Sequence, residues 1–570
     1  MATVLHRGHI YTPAGADITA MVVEAAQVTW LGTDDAVAAH IGPDDTVVDL
    51  AGALVTPAFV DAHVHATATG LSLTGLDLSG ARSATQVLDL VASFASGREH
   101  GPGGSGVVLG SGWDDSSWPD TDAGNGLVGD PHPPMLHTAI LHTAILPSAR
   151  ELSRAAGGRP VYLARVDAHS ALVSADLLDG DLPALDGYHP SGWLRRDAHD
   201  AVRTAALAQL SPGHRRAAQR ACLARAAALG IAAVHEMAGP SISAADDLAM
   251  LLDGRHDGGS ARPGEPDGPE VVGYWGELGG IEAALELGAA GAAGDLFCDG
   301  AIGSHTAALH APYTDRPDQP EPRFTAAEIG AHVVACTRVG LQAGFHAIGD
   351  AAVDTVLDGM DAAAAEVGPA AVRGARHRLE HAEMVTEPRR LAASGLIASV
   401  QPAFDAAWGG PQGMYAHRLG ERAAGLNDFA ALSSAGVALA FGSDAPVTPL
   451  DPWATVRAAA YHRTPASALS VRAAFTAHTR GGWRAARRDG DGSGVLAVGH
   501  PATYAIWDDA ELATDVPDER VSRWSTDPRA GLAGLPDLAP GRPLPRCRQT
   551  VVRGRIIHNV AGYSVRLTRG

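Results

Sequence analysis

Short apolar runs recur along the chain at strand length, and longer stretches with helical spacing separate most of them. The clearest runs are 54–62 (LVTPAFVDA), 231–236 (IAAVHE), 271–276 (VVGYWG), 295–299 (DLFCD), 341–347 (LQAGFHA), 376–382 (RHRLEHA), 396–402 (LIASVQP) and 437–443 (VALAFGS). Alanine-rich segments such as 325–338 and 350–365 read as helices between them. Strand then helix, repeated, predicts a parallel sheet with crossover helices, because parallel strands need a long connection. Eight such units predict an α/β fold of the TIM-like (β/α)8 barrel type, with its chemistry at the C-terminal ends of the strands.

Residues 71–225 break this rhythm. They hold two further strand candidates, 107–112 (VVLGSG) and 161–166 (VYLARV), among Gly/Pro-rich loops around 97–135. They read as an α/β insertion after the first barrel strand. The tandem repeat LHTAILHTAIL (136–146) within it has a mixed helical face and suggests no function. The two ends of the chain resemble each other: VLHRGHIYT (4–12) and VVRGRIIHN (551–559) both run strand, Arg-Gly, strand. Arg7-Gly8 and Arg553-Gly554 are expected to be hairpin turns. Two short strand-rich pieces are not stable apart, so a composite β-sandwich built from both termini is expected. The expected layout is an N-terminal sandwich segment at 1–56, barrel strand 1 at 57–70, the insertion at 71–225, the rest of the barrel at 226–489 and a C-terminal sandwich segment at 490–570.

Composition narrows the function. A chain of 570 residues exceeds one hydrophobic core. The formal net charge of −21 makes a nucleic-acid partner improbable and leaves a small molecule as the expected partner. No apolar run has the length of a membrane span or the form of a signal peptide, so no membrane partner and a cytoplasmic location are expected. The four cysteines are scattered and form no CxxC, which fits a reducing compartment. A homodimer is left open. All 43 basic residues are arginine. The absence of lysine excludes Schiff-base chemistry, a pyridoxal anchor, a P-loop lysine and a metal-bridging carboxylated lysine.

Candidate chemistry collects at the ends of the runs. VDAHVHA places His63 and His65 two apart, and alternation along a strand puts such positions on one face. GFHAIGD places His346 at the end of a later run, RLEHAEM places His381, and FGSDAP ends the last run with Asp444. Each alone is as well explained by packing or by an ordinary surface imidazole. Together, on the same ends of barrel strands, they would share one rim. Neutral imidazoles with a carboxylate suit a divalent cation, zinc above all. Such a cation makes hydroxide available near neutral pH, water's pKa falling toward about 7. Asp444 could accept the proton and pass it to a departing amine.

In this order TPAFVDAHVH, DGAIGSHTAAL, HAIGD, RLEHAE, SVQP and GSDAPV resemble the amidohydrolase superfamily, and within it amidohydrolase family 3, the YtcJ-like and N-substituted formamide deformylase group. The resemblance implies a metal-dependent hydrolase of a non-peptide C–N bond, an amide or N-substituted formamide. It implies that His63 and His65 bind one metal with Asp444, and that His346 and His381 bind a second or hold the substrate carbonyl. Similar chains usually read K-L-F-x-D-G on the fourth strand, with a lysine like the carboxylated one of many binuclear members. Here the segment is DLFCDG, and Asp295 stands in the lysine's place.

Three arrangements follow. Asp295 bridges two metals despite its shorter side chain. Alternatively, one metal is held by His63, His65, His346 and Asp444 while His381 polarises the carbonyl. In the third, Cys298 is a thiolate ligand, although its odd spacing from Asp295 turns it to the other strand face. The one-metal arrangement is favoured. Asp299 and Gly300 are expected to shape the turn after the strand. His305 stands where the similar DGSLGSRTAAL has arginine and is expected to touch substrate or a loop. Trp113, Asp114 and His169 of the insertion, with Gln401, are the further substrate-binding candidates. Arg457 and Arg463 are expected to form ion pairs. Two rival functions stand: deamination of a heterocyclic amine on one metal, and a non-catalytic binding protein on a decayed barrel.

Overall fold

Eight parallel strands form one sheet: β1 (Phe59–Val64), β2 (Ile231–Ala238), β3 (Glu270–Trp275), β4 (Gly291–Ala292), β5 (Gln342–Ala347), β6 (Arg378–His381), β7 (Ile397–Val400) and β8 (Ala438–Phe441). Each pairs in parallel with the next. The circle is joined past the strand ends, where Asp444 N donates to His63 O (2.8 Å) and His65 N to Ala445 O (3.0 Å). Gly442 is required there, since a Cβ on it would stand 2.5 Å from His63 N. This is the expected (β/α)8 barrel. The computed structural model describes residues 1–97, 106–115, 118, 146–166, 170–253, 268–317, 319–508, 512 and 534–560. The repeat at 136–146 therefore lies outside the described residues, except for its last position. The chain divides into two compact units, Met1–Ala66 with Cys222–Gly570, and Thr67–Ala221.

The crossover helices form where local signals and apolar spacing agree. The helix Ala326–Val339 opens on a capping box between Thr325 and Glu328 and ends at Gly340 in the left-handed region. It buries Ile329, Val333 and Val334 in the cluster that also takes Phe345, Val353 and Leu357. Two strand expectations shift. The run 54–62 is two strands, because Leu54–Pro57 leaves the barrel to pair antiparallel with Tyr504–Trp507. The fourth strand is Gly291–Ala292, not 295–299. Gly294, at φ +100°, turns the chain, and only the bridge from Phe297 to His346 continues the ladder.

The same unit carries two further sheets. One orders Gln27–Gly32, Ala20–Glu24, Thr3–His6 and Thr46–Asp49. The other orders His9–Ile10, Leu54–Pro57, Tyr504–Trp507, Cys547–Val552 and Arg555–Asn559, so both ends of the chain contribute. Leu5, Met21, Val28, Val55, Ile506 and Val551 pack together in one core drawn from both sheets. Arg553 and Gly554, at φ +48° and +77°, make the expected hairpin turn. Arg7-Gly8 does not: Thr3–His6 and His9–Ile10 lie in different sheets, so this dipeptide carries the chain from one to the other.

His478 ties the first barrel strand to the helical shell, its Nδ1 2.9 Å from Val60 O. Burial pushes its imidazole down to about 4. The unfolded chain, near 6.5, takes up a proton first as pH falls. The stability from keeping His478 neutral is complete above about 6.5 and is lost as pH falls toward 4. Denaturant midpoints should show a loss of about 2 kcal/mol at pH 5 from this group, and the His478→Asn variant should show a flatter pH dependence.

The second unit holds a five-stranded mixed sheet, ordered Trp193–Arg195, Ser170–Val173, Val161–Arg165, Val108–Trp113 and Leu76–Asp77. Two of these strands match the expected 107–112 and 161–166. The other three are short or lie in segments whose polarity reads as loop. Among the described residues no helix is long and apolar enough to cross a membrane.

Candidate metal centre

Six side chains from five barrel positions face one another at the C-terminal ends of the strands. His63 Nε2 lies 3.5 Å from Asp295 Oδ1 and 3.5 Å from Asp444 Oδ1. His65 Nε2 lies 3.2 Å from Asp295 Oδ2 and 3.1 Å from Asp444 Oδ1. His346 Nδ1 and His381 Nε2 each lie 3.5 Å from Asp295 Oδ1. Donors held 2.0–2.1 Å from a tetrahedral zinc-like cation stand about 3.3–3.4 Å apart. The observed spacings bracket that edge length. His63 Nε2, Asp295 Oδ1, His346 Nδ1, His381 Nε2 and Asp444 Oδ1 are all buried and form no well-made hydrogen bond. Buried polar atoms are otherwise satisfied, so five orphans aimed at one point fit a cation. The donors resolve into groups that share members: His63, His65 and Asp295; His63, His381 and Asp444; Asp295, His346 and His381.

The far nitrogen of each ring is engaged, which sets the near one as a lone pair. His63 Nδ1 donates to Glu380 Oε2 (2.9 Å), His65 Nδ1 to Met237 O (3.0 Å), and His346 Nε2 reaches Gly300 O (3.4 Å). His381 Nδ1 pairs with Gln401 Oε1 (2.9 Å). Such outer partners fix tautomer and ring direction for metal ligation. Glu380 is itself clamped by Arg378, with Nε to Oε1 at 2.6 Å and Nη2 to Oε2 at 3.1 Å. Arg378 also donates to Ala62 O (2.7 Å), Ser399 Oγ (3.1 Å) and His235 Nδ1 (2.9 Å), all within the barrel. The sequence reading missed Arg378 and Glu380. Their signal was present: two charges, two apart, in a strand four residues long.

The electrostatics fit the same reading. Burial alone would lower the pKa of His63, but Asp295 and Asp444 hold it well above its ordinary value. Burial acts likewise on His65, and bonds to the same carboxylates lift it to about 10. Burial would raise Asp295, yet His63, His346 and His381 hold it well below the usual carboxylate range. Without a cation the pocket draws protons onto its imidazoles, and an entering cation expels them.

A sequence model of the amidohydrolase family matches residues 46–558. The chain belongs to the amidohydrolase family. "Protein LONG AFTER FAR-RED 3" of Arabidopsis thaliana is 25% identical over 560 residues, covering 87% of this chain and 85% of that one. "Putative amidohydrolase YtcJ" of Bacillus subtilis (strain 168) is 25% identical over 495 residues, covering 81% and 84%. An uncharacterized metal-dependent hydrolase from Pyrococcus furiosus superposes with a TM-score of 0.68 at 24% identity, over 89% of this chain and 98% of that one. Its counterpart from Pyrococcus horikoshii OT3 gives 0.68 at 23%, over 89% and 97%. These two structures show the shared fold.

Within this amidohydrolase barrel the remaining candidates separate. Asp295 reaches the centre because the turn at Gly294 carries it in past the short fourth strand. His381 and Asp444 sit at φ +70° and +54°, a left-handed strain found at functional sites. Cys298 points into the apolar core, its thiol 3.9 Å from Ala352 O, and is no ligand. Asp299 accepts the amides of Ala308 (2.9 Å), Ile348 (3.0 Å) and Gly349 (2.8 Å), shaping the turn as expected. His305 bonds Asp315 at 3.1 Å and so holds a loop. Gln401 buttresses His381. In the second unit Trp113 is fully buried, its Nε1 donating to Leu163 O (2.9 Å), and an indole with no accessible surface forms no pocket wall. Asp114 pairs with Arg165 at 2.8 Å. His169 lies outside the described residues. Arg457 and Arg463 bond backbone carbonyls of Leu538, Arg542 and Ala406, and among the described residues they form none of the expected ion pairs.

Proposed function

We propose that this amidohydrolase is a zinc-dependent enzyme cleaving a non-peptide C–N bond, an amide or N-substituted formamide, in a small molecule. The observation that carries the reading is the convergence of four histidine lone pairs and two carboxylates at catalytic spacing. His63, His65, Asp444 and Asp295 would hold one cation. Asp295, His346 and His381 would hold a second. Asp295 lies between the two groups, its Oδ2 near His65 and its Oδ1 3.5 Å from His63, His346 and His381 alike, which favours a shared ligand over a single ion. A divalent cation in such a site supplies Lewis acidity, activating water near neutral pH and polarising a carbonyl.

The chain's own groups do the rest. Gly300 O and Gln401 hold the His346 and His381 rings turned toward that site. The Asp444 carboxylate accepts the proton of the attacking water and returns it to the departing nitrogen. Burial of the six side chains keeps bulk water from competing for these contacts. The test is a metal and activity count on one preparation. Two zinc ions per chain are expected. Hydrolysis of N-aryl formamides should be lost after chelation and restored by zinc. Ammonia release from purines or pyrimidines, with amides and formamides untouched, would overturn the reading in favour of a deaminase.

A further inference from the structure

Two long loops meet on the His381 side of the centre, one following the fourth strand and one following β7. The short helix Met414–Leu419 belongs to the second. A row of aromatic rings leads from it to the centre. Tyr415 packs edge-on against Trp408 with centroids 6.2 Å apart, Trp408 lies 4.8 Å from Phe404, and the Phe404 ring is parallel to His381 within 9° at 6.0 Å. His381 keeps 3% of its side chain accessible where His65 keeps 10%. Gly410 and Gly420 flank the helix at φ +86° and +60°. Both stand in the left-handed region that glycine enters without steric cost, so a rigid piece lies between two permissive joints.

The same helix is fastened across to the first loop. Thr314 N donates to Arg418 O at 2.8 Å. The Arg418 guanidinium bonds the Asp315 carboxylate and Gly303 O (3.3 Å), and Arg422 donates to Ala311 O (3.0 Å). Asp315 also takes His305 Nε2 at 3.1 Å. Beneath these bonds Ile302 and Tyr313 of the first loop share an apolar cluster with Tyr415 and Leu419 of the second. Arg418 and Asp315 keep 30% and 28% of their side chains accessible, and an ion pair so exposed is weak and screened by salt.

We propose that the helix Met414–Leu419 is a lid over the metal centre, hinged at Gly410 and Gly420 and latched to the loop 311–315 by Arg418 and Arg422. The proposal goes beyond the reaction class assigned above and concerns access to the centre. Lifting the helix takes Tyr415 off Trp408 and loosens the row of rings that covers His381. The weak latch makes opening frequent, and the shared apolar cluster draws the lid back.

The experiment pairs hydrogen exchange, read by mass spectrometry on the full chain, with the rate of zinc release to an excess of chelator. Arg418→Met is expected to speed both exchange over residues 414–422 and zinc release by about 5-fold, the scale of one exposed ion pair. Arg418→Lys keeps the charge and should stay nearer the parent rates. Raising salt from about 0.05 to about 0.5 M should speed release in the parent and not in Arg418→Met. Exchange in the helix Ala326–Val339 should not change, which checks that the variants are folded. Unchanged exchange over 414–422 would show that there is no latch, and faster exchange with unchanged zinc release would show that the helix covers nothing; either result overturns the proposal. A protein that takes up no zinc removes the metal reading. The lid is then judged by acylation of His381 with diethyl pyrocarbonate, relative to His310, whose side chain is 57% exposed. A faster reaction of His381 in Arg418→Met supports the lid, and an equal one overturns it, so the two readings fail separately.

Discussion

Asp444→Asn lowers kcat by about 10²–10⁴-fold, the usual contribution of a positioned acid–base group. The side chain sits where one oxygen faces His63 and His65 at 3.5 and 3.1 Å, and 8% of it remains accessible. His63 and His65 hold its carboxyl below the ordinary range against the effect of burial, so it is ionised and able to accept a proton near neutral pH. Asparagine keeps the volume and one oxygen donor but loses the basic site. Metal content should fall far less than rate, and elemental analysis of the same sample separates the two. A variant within threefold of the parent rate, with its metals intact, would remove Asp444 from proton transfer.

The second large effect is on stability. Arg378 and Glu380 are both fully buried, and the pair lies inside the barrel beneath His63. Burial would raise the Glu380 carboxyl, but Arg378 and His63 hold it well below its ordinary value. Arg378→Met leaves that charge with one partner fewer and should cost about 3–5 kcal/mol in denaturant unfolding. The double variant Arg378→Met with Glu380→Gln removes both charges and should recover most of the loss. It should not recover cation affinity. The Nδ1 proton of His63 would then meet a neutral amide in place of a carboxylate, and outer partners of this kind are worth about 10–100-fold in metal binding. Equal stability of single and double variants would show that the pair is not coupled. Unchanged zinc affinity in the double variant would show that Glu380 does not tune His63.

Hydrophobic periodicity sufficed for the barrel, because parallel strands buried on both faces are apolar runs and the helices between them carry caps and small residues. Seven of the eight runs overlap a barrel strand. The failures have local causes. The run 54–62 is apolar throughout, so nothing in it marks where one sheet hands over to another. The segment 295–299 has strand composition, but a glycine at positive φ ends the strand before it. The Arg-Gly pairs are alike in sequence, yet only Arg553-Gly554 has its flanking strands in the same sheet.

The chain's order of residues determined that four histidines and Asp444 would stand at strand ends, that no lysine could participate, and that Asp295 occupied the place in question. Spacing within one strand is a local property, so each of those residues was visible alone. Only the closed barrel decided that His63 and His381, more than 300 residues apart, would share a carboxylate, and that Arg378 and Glu380 would lie beneath them. The reach of Asp295, too, depended on a turn that composition does not encode. Such contacts arise from strand curvature and register across the whole circle, which no segment of sequence carries by itself.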